Sequence, residues 1–336
     1  MKTFLIKLAC FLALQVAILT PLVFIGNHFK TSQHYLCSMA DKLELLKTAP
    51  GPRIIFVGGS NLAFGLNSKL VAEKTEYNPV NLGVHVSFGI NPLMRMVEEH
   101  AQAGDLIVLS PEYGLFGKDE MKCKEKFASQ LYDLWPDCRQ YFQPDLECPL
   151  PETTSPPLFR LADRVAHGRR LLFDSPDQRR YEIYERGSFN EFGDHVNHYG
   201  VARESVQHHM GTVYLDLHSD LDKRYFIENI EAINRFCDHC NALGANVVYT
   251  HAPLSAARCV ANRKAKEMFE STLASNMKCP IITSLDQLTF EDKLFFDTEY
   301  HLTEAGANKR TAIFCRQLLR HQARHVARAS PKTSAF

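Results

Sequence analysis

Arg53-Ile54-Ile55-Phe56-Val57-Gly58-Gly59-Ser60-Asn61 is the stretch whose reading decides the fold. An unbroken apolar run of strand length marks a strand covered on both faces, as in a parallel sheet. The paired glycines mark a tight turn directly after it. Downstream, Asp105-Leu106-Ile107-Val108-Leu109 repeats the pattern and ends in Ser110-Pro111. Asn246-Val247-Val248-Tyr249-Thr250 leaves through Ala252-Pro253, and Pro280-Ile281-Ile282-Thr283 makes a last short strand. Asn78-Pro79-Val80-Asn81-Leu82-Gly83 supplies one more.

Helical signals fall between these runs. Asn91-Pro92 opens a helix with proline in its first turn, running to His100 and closing near Gly104. Phe226 to Leu243 is amphipathic, with Gly244 as its stop. A further helix spans roughly 261–276, and Thr303 caps a final one. Strands alternating with helices predict an α/β fold: a doubly wound, flavodoxin-like parallel sheet of about five strands. Right-handed crossovers then gather Ser60, Gly83, Ser110 and His251 at the strand ends along one edge, where such folds bind ligands. Between about 114 and 225 the pattern loosens, with Trp135, Tyr141, Phe142, Tyr181 and Tyr184 scattered through it; it reads as a long insertion, partly helical.

The N-terminus differs from everything after it. Lys2 and Lys7 lead into an apolar run from Leu8 to Ile25, near the minimum length for a bilayer-spanning helix. Flanking lysines stay on the cytoplasmic side, so the main domain is expected outside the cytoplasm, in the periplasm. No small-x-small cleavage site follows, which favours an uncleaved anchor over a signal peptide. The expected organisation is an anchor over 1–29, a linker and helix over 30–52, the α/β domain over 53–325 and a tail over 326–336. Basic and acidic residues balance at 38 each, so no basic face announces a nucleic-acid partner.

Of ten cysteines, Cys123, Cys138 and Cys148 cluster in a proline-punctuated region of the kind that carries disulfides outside the cytoplasm. Cys237 and Cys240 fall on the apolar face of the 226–243 helix, with no second Cys/His pair at zinc spacing, and read as buried small hydrophobes. No metal or cofactor is implied, and the glycine turn lacks the Gly-Lys-Ser/Thr of a phosphate loop.

Two segments carry chemistry. Ser60 sits on a glycine-rich turn at a strand end, where small neighbours let Oγ project and backbone N–H groups face an oxyanion. Far along the chain stands Asp297-Thr298-Glu299-Tyr300-His301-Leu302-Thr303. An acid just before a histidine, itself just before a helix, lets a base and its orienting carboxylate share one loop. Asn61, Glu112 and His251 are possible substrate contacts; for His251 a structural role is the plainer reading. His195, His198, His208 and His209 read as solvated loop histidines, and Arg316, Arg320, Arg324 and Arg328 as a solvated helix face with anionic lipid or polymer as the minority reading.

These segments resemble the SGNH (GDSL-like) hydrolase superfamily. Gly58-Gly59-Ser60 is similar to its nucleophile block, with Gly59 where aspartate is usual. Asn81-Leu82-Gly83 resembles the block whose glycine helps hold the oxyanion, and Asp297 with His301 resembles the last block. The likeness covers Arg53 to Gln317 outside the insertion. It implies Ser60 as nucleophile, His301 as base, Asp297 as its orienting acid, and the N–H groups of Ser60 and Gly83 as oxyanion donors. Two departures stand out. The third block's asparagine is absent where Leu109-Ser110-Pro111-Glu112 occurs. The acid stands four residues before His301, with Thr298 at the usual place and Glu299 as the rival acid.

With the anchor, the resemblance implies serine-dependent acyl-ester transfer or hydrolysis on a cell-envelope or extracellular polysaccharide, with an integral-membrane acyltransferase as a possible partner. A non-catalytic envelope protein of the same fold, binding glycan or that partner, and a lipid esterase are the competing expectations.

Overall fold

The computed structural model describes residues 1–146, 183–201 and 220–329, with five helical positions between 165 and 173. Cys148, Tyr181, His208 and His209 lie outside the described residues, as does the side chain of Arg328. In chain order the main elements are α1 (Lys2–Gln33), α2 (Ser38–Thr48), β1 (Arg53–Val57), α3 (Ser60–Ala63), α4 (Ser68–Lys74) and β2 (Asn78–Asn81). Then follow α5 (Asn91–His100), β3 (Leu106–Leu109), α6 (Glu125–Leu134), α7 (Arg139–Phe142), α8 (Asp220–Ala242) and β4 (Asn246–Tyr249). The chain continues through β5 (Leu254–Ser255), α9 (Ala256–Ala261), α10 (Arg263–Asn276), β6 (Thr289–Phe290) and α11 (Glu304–Ala329).

The fold is α/β, built on a four-stranded sheet in the order β2-β1-β3-β4 with every pairing parallel. Ile281 adds a single parallel bridge to Tyr249, all that forms of the fifth strand expected over Pro280–Thr283. β5 and β6 pair separately, outside the main sheet.

The unalternating apolar run does what it must in a sheet covered on both sides. Ile55 and Val57 of β1 join one core cluster, under Leu43 of α2, Leu93 of α5 and Phe236 of α8. Ile54 and Phe56 join the other, under Val71 of α4 and Phe314 and Leu318 of α11. Each fully buried side chain of this size is worth about 1.5–3 kcal/mol. At the other end of β1, Arg53 is fully buried, its Nε 3.0 Å from Asp105 and its Nη2 2.8 Å from the His100 carbonyl. Such a pair adds little net stability, but removing one partner strands a buried charge at about 3–5 kcal/mol.

Three expectations need correction. The first helix runs past the expected anchor boundary at 29 to Gln33, and it meets a largely buried 3-10 turn and the expected helix, α2, with no linker between them. Tyr35, Leu36 and Met39 enter the core, and Tyr35 Oη donates to the Val84 carbonyl at 2.7 Å. The span Lys2–Ile25, of mean hydropathy 2.5 and with none of it buried, is long and apolar enough to cross a membrane. Cys123 and Cys138 are buried free thiols rather than disulfide partners, and among the described residues every cysteine is free. Burial pushes the Cys138 thiol up to about 12. His195 and His198 are not solvated; both are buried. Cys237 and Cys240 lie in the core on α8, as their helical spacing predicts.

Candidate active site

Ser60 begins α3 immediately beyond the C-terminal end of β1 and is half-buried. The turn is held from β3's end. The Glu112 carboxylate accepts the N–H of Gly59 at 3.1 Å and that of Asn61 at 3.0 Å. The Ser60 N–H between them has no partner among the described residues. Arg310, reaching in from α11, donates to the Asn61 carbonyl at 2.6 Å, to Asn61 Oδ1 at 2.9 Å and to Ser110 Oγ at 2.8 Å. Burial pulls Arg310 down to about 10, so it remains a cation at neutral pH. Asn61 Nδ2 closes the network on the Ser110 carbonyl at 2.9 Å.

Asn61 and Glu112 are therefore buried supports of the turn, with their polar atoms spent on it. His251 is buried too, its Nδ1 2.8 Å from the Thr283 carbonyl and its Nε2 without a partner among the described residues. None of these three expected contacts projects from the surface.

Gly83 packs directly on the serine turn. A Cβ there would stand 2.6 Å from the Gly59 carbonyl and 2.8 Å from the Ala63 nitrogen, so only glycine fits. Its N–H is directed at Asn81 Oδ1, 2.9 Å away. The N–H expected to hold an oxyanion is thus occupied by a side chain, and Ser60 supplies the free donor.

The loop before α11 brings acid and base together. Phe295 bridges Leu302 in antiparallel fashion and Phe296 N–H donates to the His301 carbonyl at 2.7 Å, folding the intervening residues into a tight bend. Thr298 Oγ1 accepts the N–H of Tyr300 at 3.3 Å and of His301 at 3.1 Å. The residue three before the histidine therefore builds the bend, and the acid is displaced one place upstream. Asp297 Oδ1 lies 2.7 Å from His301 Nδ1. Tyr184 Oη donates to the other carboxylate oxygen. Burial pushes the Asp297 carboxyl up, but His301 and the Tyr184 hydroxyl outweigh it and hold the group below its ordinary value.

His301 lies flat on Phe64, with ring centroids 3.9 Å apart and planes within 8°. Phe64 follows α3 directly, four residues after Ser60, and its N–H donates to the Ser60 carbonyl at 2.9 Å. The turn that begins at Ser60 thus carries the platform on which the His301 imidazole rests. Neither Ser60 Oγ nor His301 Nε2 hydrogen-bonds to another described residue. On Phe64's ring His195 also stacks, at 4.0 Å and 19°. His195 Nδ1 is 3.0 Å from His198 Nδ1, and His198 Nε2 donates to the Leu302 carbonyl at 2.9 Å. Burial above all pulls these imidazoles down, His195 to about 3 and His198 to about 4.

Several of these residues escaped the sequence reading. Tyr184 was legible only as one aromatic among many, and Phe64 only as core. Arg310 left a signal: it falls on α11's apolar stripe with Ala307, Phe314, Cys315 and Leu318, where a cation must have buried partners. Arg316, Arg320 and Arg324, by contrast, lie on the exposed face as expected.

The structure brings Asp297 and His301 together and sets His301 on the turn that begins at Ser60, and among the described residues Ser60 and His301 share no hydrogen bond. Compared with known proteins, the chain matches no family model and no curated relative.

Proposed function

We propose that this protein is a serine-dependent acyl-ester transferase or hydrolase of SGNH type, acting on an acylated polysaccharide of the cell envelope. The observation that carries the reading is the stacking of the Asp297-bound His301 on Phe64, one helical turn from Ser60. Ser60 Oγ attacks the acyl carbonyl and passes its proton to His301 Nε2, while Asp297 keeps Nδ1 protonated and steadies the imidazolium. The Ser60 N–H receives the developing oxyanion. The alcohol leaves with the proton from Nε2. A sugar hydroxyl or water, deprotonated by His301, then attacks the acyl-serine and takes the acyl group. The Lys2 and Lys7 lead favours an anchored protein whose domain lies outside the cytoplasm.

A second reading has its own support. The Gly83 N–H is taken by Asn81, and one oxyanion donor fewer typically costs ~10²–10³ in rate. A non-catalytic member of the fold that binds glycan or a membrane acyltransferase fits that deficit.

Labelling of the full chain in detergent with a serine-directed fluorophosphonate separates the two. Modification mapped to Ser60, lost in Ser60→Ala and in His301→Ala, is the expected result. A folded protein that stays unlabelled would favour the binding protein.

A further inference from the structure

At the opposite edge of the sheet from Ser60, where β3 and β4 begin, α8 is stitched to the chain that leads into Ile281. Asn234 Nδ2 donates to the Asn276 carbonyl at 2.8 Å, and Asn234 Oδ1 accepts the Lys278 N–H at 2.8 Å. Lys278 Nζ pairs with Asp238 at 2.6 Å. Between these bonds α8 carries Cys237 and the facing segment carries Cys279, and the two thiols are neighbours. Cys237 is pushed above the ordinary thiol range, first by the Cys279 side chain and then by burial. Both line an open cleft of about 840 Å³ with Leu106 and Asn246. Cys240, the other half of the C-x-x-C spacing, is wholly buried and does not line it.

We propose that Cys237 and Cys279 are a redox pair that closes to a disulfide in the wall of this cleft when a disulfide oxidant is supplied. The spacing Cys237-x-x-Cys240 points to the wrong partner. Cys240 is turned away from the cleft, whereas Cys237 and Cys279 sit on separate elements already held in register by Asn234 and Asp238.

With glutathione disulfide as oxidant, the more exposed Cys279 attacks as thiolate, forming a mixed disulfide and releasing one glutathione thiolate. The Cys237 thiolate then attacks the protein-side sulfur and expels the second. Two protein thiols are oxidised, one glutathione disulfide is reduced to two thiols, and the two cysteine protons end on the released glutathiones. The crosslink fastens α8 to the segment that leads into Ile281 at the edge of the sheet. It is independent of any chemistry at Ser60.

The test uses the full chain in detergent. Folded protein is exposed to glutathione disulfide, then alkylated in denaturant and digested without reduction. The expected product is a single linked peptide pair joining Cys237 to Cys279, lighter by two hydrogens, with Cys240 alkylated. Cys279→Ser should abolish the link and return Cys237 to the alkylated pool, and Cys240→Ser should keep it. A link between Cys237 and Cys240, a glutathione that persists on Cys279 without closure, or two free thiols in protein held folded throughout would each overturn the proposal.

Discussion

Gly59 has no room for a side chain because Glu112 occupies it: a Cβ at position 59 would stand 2.4 Å from each oxygen of that carboxylate. The same carboxylate holds the N–H groups on either side of Ser60, so it cannot swing away without stranding them. The glycine where the resembled block has aspartate is therefore coupled to the glutamate that ends the third strand. Gly59→Ala should destabilise the fold by about 1–3 kcal/mol through overpacking. Gly59→Asp, which sets a second carboxylate against a buried one, should cost more. Urea unfolding of both variants is the check; an alanine variant of unchanged midpoint would mean that Glu112 is free to move.

Asp297 fixes which nitrogen of His301 carries the proton. Asp297→Asn should leave the fold in place and reduce fluorophosphonate labelling of Ser60 by a factor on the order of 10⁴. The sign with pH follows from its lowered pKa. A carboxyl whose folded value lies below its unfolded one, about 3.9, stabilises the protein above that value. The contribution is lost as pH falls through the folded value. The stability gap between wild type and Asp297→Asn should be constant near neutrality and shrink as the pH falls below about 4.

Tyr184 holds the far oxygen of Asp297. A hydrogen bond to a charged group is worth about 1.5–3 kcal/mol. Tyr184→Phe should cost that much stability at neutral pH and raise the pKa of Asp297, seen by carboxyl NMR. Labelling of Ser60 should fall less than in Asp297→Asn, because the aspartate remains. An unchanged carboxyl titration would remove Tyr184 from the site.

Burial lowers four histidines: His85, His198 and His251 are pulled down to about 4, and His195 to about 3. Unfolded, each takes up a proton near pH 6.5, well before its folded form does. The unfolded state thus binds more protons in that window, and stability should fall steadily as pH drops from about 6.5 to 4. Urea midpoints across that range, with the net proton uptake on unfolding by calorimetry, test it; a flat profile would count against the burial of these rings.

The parts of the molecule set by local pattern were legible in the sequence. β1, β3 and β4 announce themselves because strands covered on both faces must be apolar throughout. Asp297 and His301 are readable because four residues of one bend connect them. What could not be read depends on partners distant in the chain. His195 and His198 look like polar loop residues until Phe64 and the Leu302 carbonyl enclose them. Glu112 looks like a residue facing substrate until the Gly59 and Asn61 N–H groups claim it. The helix of Ser38–Thr48 was legible, but the burial of Tyr35 and Leu36 ahead of it was not, since their partners lie far along the chain.

The first helix has no flexible stretch between its apolar span and the core. Eight helical residues, Gly26 to Gln33, separate Ile25 from the 3-10 turn holding buried Tyr35, a rise of about 12 Å at 1.5 Å per residue. Tyr35 is bonded to Val84, the neighbour of Gly83. With that span in a bilayer, the protein would be moored on a short stiff post and not on a leash. Its working radius would be set by diffusion in the plane of the membrane, and whatever it binds beyond the reach of that post would have to come to it.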